Sequence, residues 1–206
     1  MTFKERVHKS IIDGASVYKA VFIEFEYLIY SDGFKNKPYY TISASEDNYP
    51  HLTGVNFLLA AQEFYDSCVD GTLLEKDFDF AIRNRSEKEV IGSVRRKTQM
   101  LPLLQSFFSN NLQAEEDFSK GSAHCSLATA DNSLTIGFID VDVLRPKTLL
   151  KRNELNPQNE IDVKLVLRRT RGMAKFDTII QGSIEGFKAL YPDIVSEEIT
   201  WDCNTN

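Results

Sequence analysis

The stretch Asn48-Tyr49-Pro50-His51-Leu52-Thr53-Gly54 closes a loop and opens an apolar run, Val55 to Cys68, whose reading decides the fold. Read as a helix, that run has two apolar stripes. One is Val55, Leu58, Leu59 and Tyr65; the other is Phe57, Ala61, Phe64 and Cys68, so the helix is covered on both sides. Gly71 stands where a left-handed residue often follows a helix end. At the head of such a helix, His51, Thr53 and Gly54 form a ready-made anion site, with Thr53 as the cap.

Upstream, residues 3–20 carry Val7, Ile11, Ile12, Ala15 and Val17 near helical spacing. Ile23, Phe25, Tyr27 and Ile29 then alternate with Glu24 and Glu26, the pattern of a half-buried strand. Asp32-Gly33 turns the chain, and Pro38 to Ala44 returns as the second strand of a hairpin. Downstream, Ser86-Glu87-Lys88-Glu89 is a capping box opening a second helix, with Pro102 predicting a break near Thr98. Arg95-Arg96-Lys97 lies on that helix, and three successive residues cannot share one face.

From residue 122 the pattern changes to strands. Ser122–Thr129, Ser133–Val141, Glu160–Thr170 and Lys175–Gln181 read as a four-stranded antiparallel sheet, with Pro146 to Leu150 in a connection. A short helix from Glu185 to Tyr191 precedes an acidic, irregular tail. Helices followed by a block of strands give an α+β architecture: an N-terminal helix and β-hairpin, then two helices packed on that sheet. The 206 residues, 42% hydrophobic and 26% charged, are expected to form one domain.

No apolar run approaches the ~20 residues of a membrane span, and Met1 to Arg6 lack the apolar centre of a signal peptide. Cys68, Cys125 and Cys203 are odd in number and far apart, which fits reduced thiols in a cytoplasm. The net charge of −6 argues against a polyanionic ligand, but its distribution is uneven. Residues 1–80 hold seven basic and thirteen acidic side chains, whereas residues 145–175 hold nine basic and three acidic. Association with a polyanion follows the local potential.

Phosphate-loop, HExxH, CxxC and GxSxG signatures are missing, and with three scattered histidines no metal site or cofactor is expected. Asp140 and Asp142 fit solvated strand ends better than a divalent ion. His51 titrates near neutrality and is suited to move a proton; its plainer reading is a half-buried ring bonded to a carbonyl. His124 shares a strand face with Ser126, either lining a groove or forming a cross-strand surface pair; His8 reads as exposed. Lys164 and Arg168 alternate onto one strand face and Arg169 onto the other. Guanidinium groups suit phosphate, and Lys147 and Thr148 arrive from the preceding connection. Such cations also serve to protect a strand edge.

Taken together, Tyr49-Pro50-His51-Leu52-Thr53-Gly54, Leu134-Thr135-Ile136-Gly137-Phe138, Pro146-Lys147-Thr148-Leu149-Leu150 and the basic strand resemble the phage-associated nucleases grouped with barnase, EndoU, colicin and RelE toxins, over residues 22–181 or so. The resemblance implies a metal-independent ribonuclease of a phage or mobile-element conflict system. It would use the 2′-hydroxyl of RNA as nucleophile, with an immunity or antitoxin protein as a further partner. It assigns His51 as general acid or base, Thr148 as a phosphate-contacting hydroxyl, and Arg168 and Lys147 as cationic stabilisers. Thr53, Arg95, Lys164 and Arg169 would hold the RNA. The competing expectation is a module without catalysis that binds RNA or protein through the basic 145–175 patch.

Overall fold

A computed structural model describes residues 1–202. In chain order it contains α1 (Phe3–Tyr18), β1 (Phe25–Tyr30), β2 (Tyr39–Ile42), α2 (Tyr49–Thr53), β3 (Asn56–Phe57), α3 (Ala61–Val69), β4 (Phe78–Asp79) and α4 (Glu87–Met100). A 3-10 run, Leu101–Ser109, leads into β5 (Gln113–Glu116), β6 (Ser119–Lys120), β7 (Ala123–His124), β8 (Leu127–Ala130), β9 (Leu134–Asp140) and β10 (Leu144–Lys151). The chain continues through β11 (Ile161–Asp162), β12 (Leu165–Thr170), β13 (Phe176–Gly182), α5 (Glu185–Leu190) and β14 (Val195–Trp201).

The α+β class holds, but the sheet is far larger than four strands. Ten strands form it in the order β11-β5-β8-β9-β10-β2-β1-β12-β13-β14, and it is mixed: β10 meets β2, and β13 meets β14, in parallel. The N-terminal hairpin is therefore the middle of the sheet rather than an appendage. Two misreadings account for two of the further strands. Pro146 made residues 146–150 look like a connection, yet they lie in β10; the proline sits beside a bulge between Pro146 and Thr148, where the ladder is already interrupted. The tail read as irregular is the edge strand β14, whose exposed glutamates mask its alternation.

The main core lies between one sheet face and the helices. Val7, Ile11 and Ala15 of α1, Phe64 and Cys68 of α3, and Val90 and Val94 of α4 pack there with Tyr27, Ile29, Ile136, Leu149 and Val166 from the sheet. On the opposite face two smaller clusters form. Phe187 of α5 covers Leu165, Leu167 and Ile179, and Leu155 with Phe118 covers Cys125 and Ala128. The bulge in β10 sets which residues face the helices. Leu144 and Leu149 both enter the main core although an odd number of positions separates them. The extra residue, Lys147, reverses the alternation between them.

The capping box at Ser86 forms as read: the Ser86 hydroxyl accepts from the Glu89 amide, and the Glu89 carboxylate accepts from the Ser86 amide at 2.8 Å. The break expected near Thr98 falls three residues later: α4 runs on to Met100, and the change from α to 3-10 geometry comes at Leu101, beside Pro102. No helix among the described residues is long and apolar enough to cross a membrane. Cys68 and Cys125 are free, buried thiols, and Cys203 lies outside the described residues.

Candidate active site

The His51 stretch ends a helix instead of beginning one. Tyr49 to Thr53 is a single short helix, and Gly54, with φ +80°, caps its C-terminus. The apolar run after it is two elements: β3, paired with β4, and then α3 from Ala61. Only Phe64, Tyr65 and Cys68 of the supposed double stripe are buried on a helix. No anion site at a helix N-terminus forms here.

What α2 does instead is present one side chain. Tyr49, Pro50, Leu52 and Thr53 are all buried, leaving His51 as the exposed residue of the turn. Its ring stands edge-on to Phe57 with centroids 5.5 Å apart. Burial against this wall, and then the Lys97 ammonium, hold the imidazole below its ordinary pKa of 6.5. Thr53 is fully buried, donating to the Pro50 carbonyl at 2.7 Å. It is a structural hydroxyl and cannot meet RNA, which corrects its assignment.

Lys97 ties α4 to α2. Its ammonium donates to the His51 carbonyl at 2.8 Å, and its stem lies where a side chain on Gly54 would stand, Cδ 2.8 Å from an ideal Cβ. Burial, followed by the nearby Arg85 charge, lowers its pKa to about 8. Beside it, Ser93, Arg96 and Lys97 of α4, Leu149 to Lys151 of β10 and Arg152 just after it wall a cleft of about 280 Å³. Arg152 takes a left-handed conformation, φ +73°. Glu154, the one carboxylate in this wall, is engaged by Lys120 at 2.9 Å. Among the described residues, no carboxylate lies within ion-pair distance of Arg96, Lys97, Lys151 or Arg152.

The other residues picked out by sequence do not gather around His51. Thr148 is nearly buried and faces away from the helices, its Cγ2 beside Gly137 and Cys125; Leu149, the next residue, faces them. Thr148 and His51 therefore lie on opposite sides of the sheet. Lys147 is the bulged residue and donates to the His124 carbonyl at 2.8 Å. Arg168 lies on β12, separated from β10 by β2 and β1, about 14 Å at ordinary strand spacing. It is paired with Asp202 at 2.8 Å and lies over the Phe25 ring. Arg169 pairs with Glu26 at 2.7 Å, and Lys164 lies 3.7 Å from Asp162. The basic strand is thus largely neutralised by its own neighbours.

Arg95 fares differently. It turns towards α1, over the Phe3 ring, while Arg96 and Lys97 turn towards β10, so the basic triplet splits between two surfaces. His124 is exposed on the β6–β7 ribbon, its Nδ1 3.0 Å from the Ser119 hydroxyl. His8 is not plainly exposed: its Nε2 lies 2.6 Å from the Leu73 carbonyl and its ring stacks on Phe78. Asp140 is bonded to Lys37, and no group of three or more His, Cys, Asp or Glu residues that could hold a metal occurs among the described residues. Sequence reasoning did not single out Arg96, Lys97, Lys151 or Arg152, the four cations that line this cleft. The signal available was the clash between an acidic chain and cations placed at the two ends of what proves to be one helix–strand contact.

The family model described as phage-Barnase-EndoU-ColicinE5/D-RelE like nuclease4 matches residues 10–179, from within α1 to within β13. No curated protein and no solved structure matches the chain. The match spans most of the chain, His51 and the cleft included, and the chain belongs to this family of phage-associated nucleases.

Proposed function

We propose that the protein is an endoribonuclease, metal-independent and part of a phage or mobile-element conflict system, and that it cleaves RNA at the cleft between α4 and β10 beside His51. The observation that carries this reading is the set of cations without carboxylate partners, Arg96, Lys151 and Arg152, gathered beside a lowered imidazole and a lowered ammonium. A phosphodiester fits such a site, since guanidinium groups bind its oxygens in pairs.

In the proposed mechanism neutral His51 takes the proton of the 2′-hydroxyl as O2′ bonds to phosphorus. The P–O5′ bond breaks, and the leaving oxygen receives a proton from the Lys97 ammonium. The products are a 2′,3′-cyclic phosphate and a 5′-hydroxyl end, and both side chains reset by exchange with water. Arg96 and Arg152 stabilise the charge on the phosphorane. Thr148 and Arg168, drawn into this chemistry by resemblance, have no part in it on this reading.

A second reading, an RNA-binding module without catalysis, is favoured by one observation: Thr148 and Arg168 do not converge on His51. Incubating RNA with parent and His51→Ala protein in the presence of a chelator separates the two. Cyclic-phosphate ends made by the parent and lost in the variant support cleavage. Equal cleavage by both proteins, or intact RNA bound by both, removes the proposed mechanism.

A further inference from the structure

A second concave surface lies at the N-terminal end of α4. Lys4 of α1, Phe80, Ile82, Arg83 and Arg85 line an open hollow of about 740 Å³, within the size range of small-ligand sites, ~300–1,000 Å³. A narrower crevice of about 220 Å³ between α1 and α4 adjoins it, lined in part by Phe3, Arg6 and Arg95. Phe3 joins the two: its ring lies 5.4 Å from that of Phe80 and carries the Arg95 guanidinium at 5.4 Å.

The charge here is one-sided. Lys4, Arg83, Arg85 and Arg95 have no ion-pair partner among the described residues. Of the two carboxylates in the wall, Asp79 already accepts from the Asn56 amide group and the Ala81 backbone, both at 2.8 Å; Glu87 is exposed in the first turn of α4. Elsewhere in this acidic chain the cations of the basic strand are matched by carboxylates. Cations around a half-buried aromatic pair form the surface used by proteins that hold unpaired strands, stacking bases on rings while the groove follows the phosphates. A duplex hides its base faces and gains nothing from the rings.

We infer that the Phe3–Phe80 hollow is a flanking-nucleotide subsite that binds unpaired RNA, with Lys4 and Arg83 on phosphates and a base against the aromatic pair. The inference rests on the ribonuclease reading for the choice of RNA.

The test is anisotropy titration of a fluorescent 12-nucleotide RNA with full-length His51→Ala protein, at several salt concentrations, with a matched duplex and a DNA strand alongside. Adding Lys4→Ala and Arg83→Ala should weaken single-strand binding about tenfold and flatten the salt dependence by ~0.7 for each phosphate no longer neutralised. Phe80→Leu should weaken binding several-fold with the salt slope unchanged, its thermal midpoint confirming the fold. Unchanged affinity in both variants overturns the inference, as does an equal loss on duplex. Equal binding of the DNA strand overturns the choice of RNA. The two proposals fail separately. Loss of binding in the hollow variants of a protein that never cleaves RNA leaves the subsite standing and removes the nuclease mechanism; His51-dependent cleavage with unaltered binding does the reverse.

Discussion

The Lys97 ammonium donates a 2.8 Å hydrogen bond to the carbonyl of His51, so a cation in the cleft wall is fixed to the backbone of the short helix that presents the imidazole. Neither carries its charge readily: burial depresses both, and Lys97 depresses His51 further. At neutral pH the pair holds an unprotonated imidazole and a protonated ammonium, the combination that general base and general acid require.

The pH profile of cleavage follows from those shifts. His51 acts unprotonated, and its pKa lies below 6.5, so the acid limb of kcat/KM falls below that value. Lys97 acts protonated, so activity falls again as pH rises through about 8. Lys97→Arg, which stays charged, should abolish the alkaline limb while lowering the plateau roughly 10²-fold through lost proton transfer. An alkaline limb unchanged in that variant would remove Lys97 as the acid.

Lys97 is costly to the fold. Its folded pKa lies below the unfolded value of 10.5, so its protonated form is penalised in the native state. Stability should therefore rise as pH is raised from 8 towards 10.5, and Lys97→Met should stabilise the protein at pH 7 by on the order of 2 kcal/mol after solvent screening. Urea denaturation of the parent and variant at pH 7 and pH 10 measures both effects, which should shrink together at the higher pH.

Gly54 holds the pair in place. A side chain there meets both a left-handed backbone and the Lys97 stem, so Gly54→Ala should cost about 1–2 kcal/mol and displace the ammonium. Gly71, also left-handed but with nothing within 4 Å, is the control: Gly71→Ala should cost about 1 kcal/mol and leave RNA cleavage unaltered. Thermal melts and initial rates on the two variants distinguish local strain from a damaged site.

Two arginines separate structure from chemistry. Arg168→Met loses an ion pair to Asp202 and should lower the thermal midpoint by a few degrees with kcat preserved. Arg152→Gly relieves a left-handed backbone and should be neutral or stabilising, yet lower cleavage at least tenfold. The opposite pattern would return the site to the basic strand.

Much of the fold was legible where one local rule acted alone. The hairpin of β1 and β2, the capping box at Ser86 and the change of helix type near Pro102 each follow from alternation, capping or a missing donor. What failed were places where two rules overlapped. Val55 to Cys68 joins a two-residue strand to a helix, and their combined apolar residues imitate one longer amphipathic helix. Pro146 reads as a strand breaker until the bulge beside it is known.

Of the site proposed above, His51 alone was singled out in the sequence. His51 was found because its neighbours are all apolar or small and a lone polar ring stands out among them. The cations that accompany it were not, because clustered charge in sequence and unpaired charge in space are different quantities. Arg168 and Arg169 are dense in the sequence and neutralised in the fold, whereas Arg96 and Arg152 are dispersed and meet only where α4 packs on β10.

The bulge at Lys147 has a consequence for how such chains diverge. One additional residue inverts the phase of everything after it in β10, which is why Leu149 and not Thr148 looks towards the helices. A relative that dropped that residue would keep both faces, since Thr148 and Leu149 would still pair with Gly137 and Ile136; one that kept it but paired without the bulge would turn the hydroxyl towards the helices and the leucine away. Position-by-position alignment would show nothing in the second case, although the inner and outer surfaces of the strand would have been exchanged.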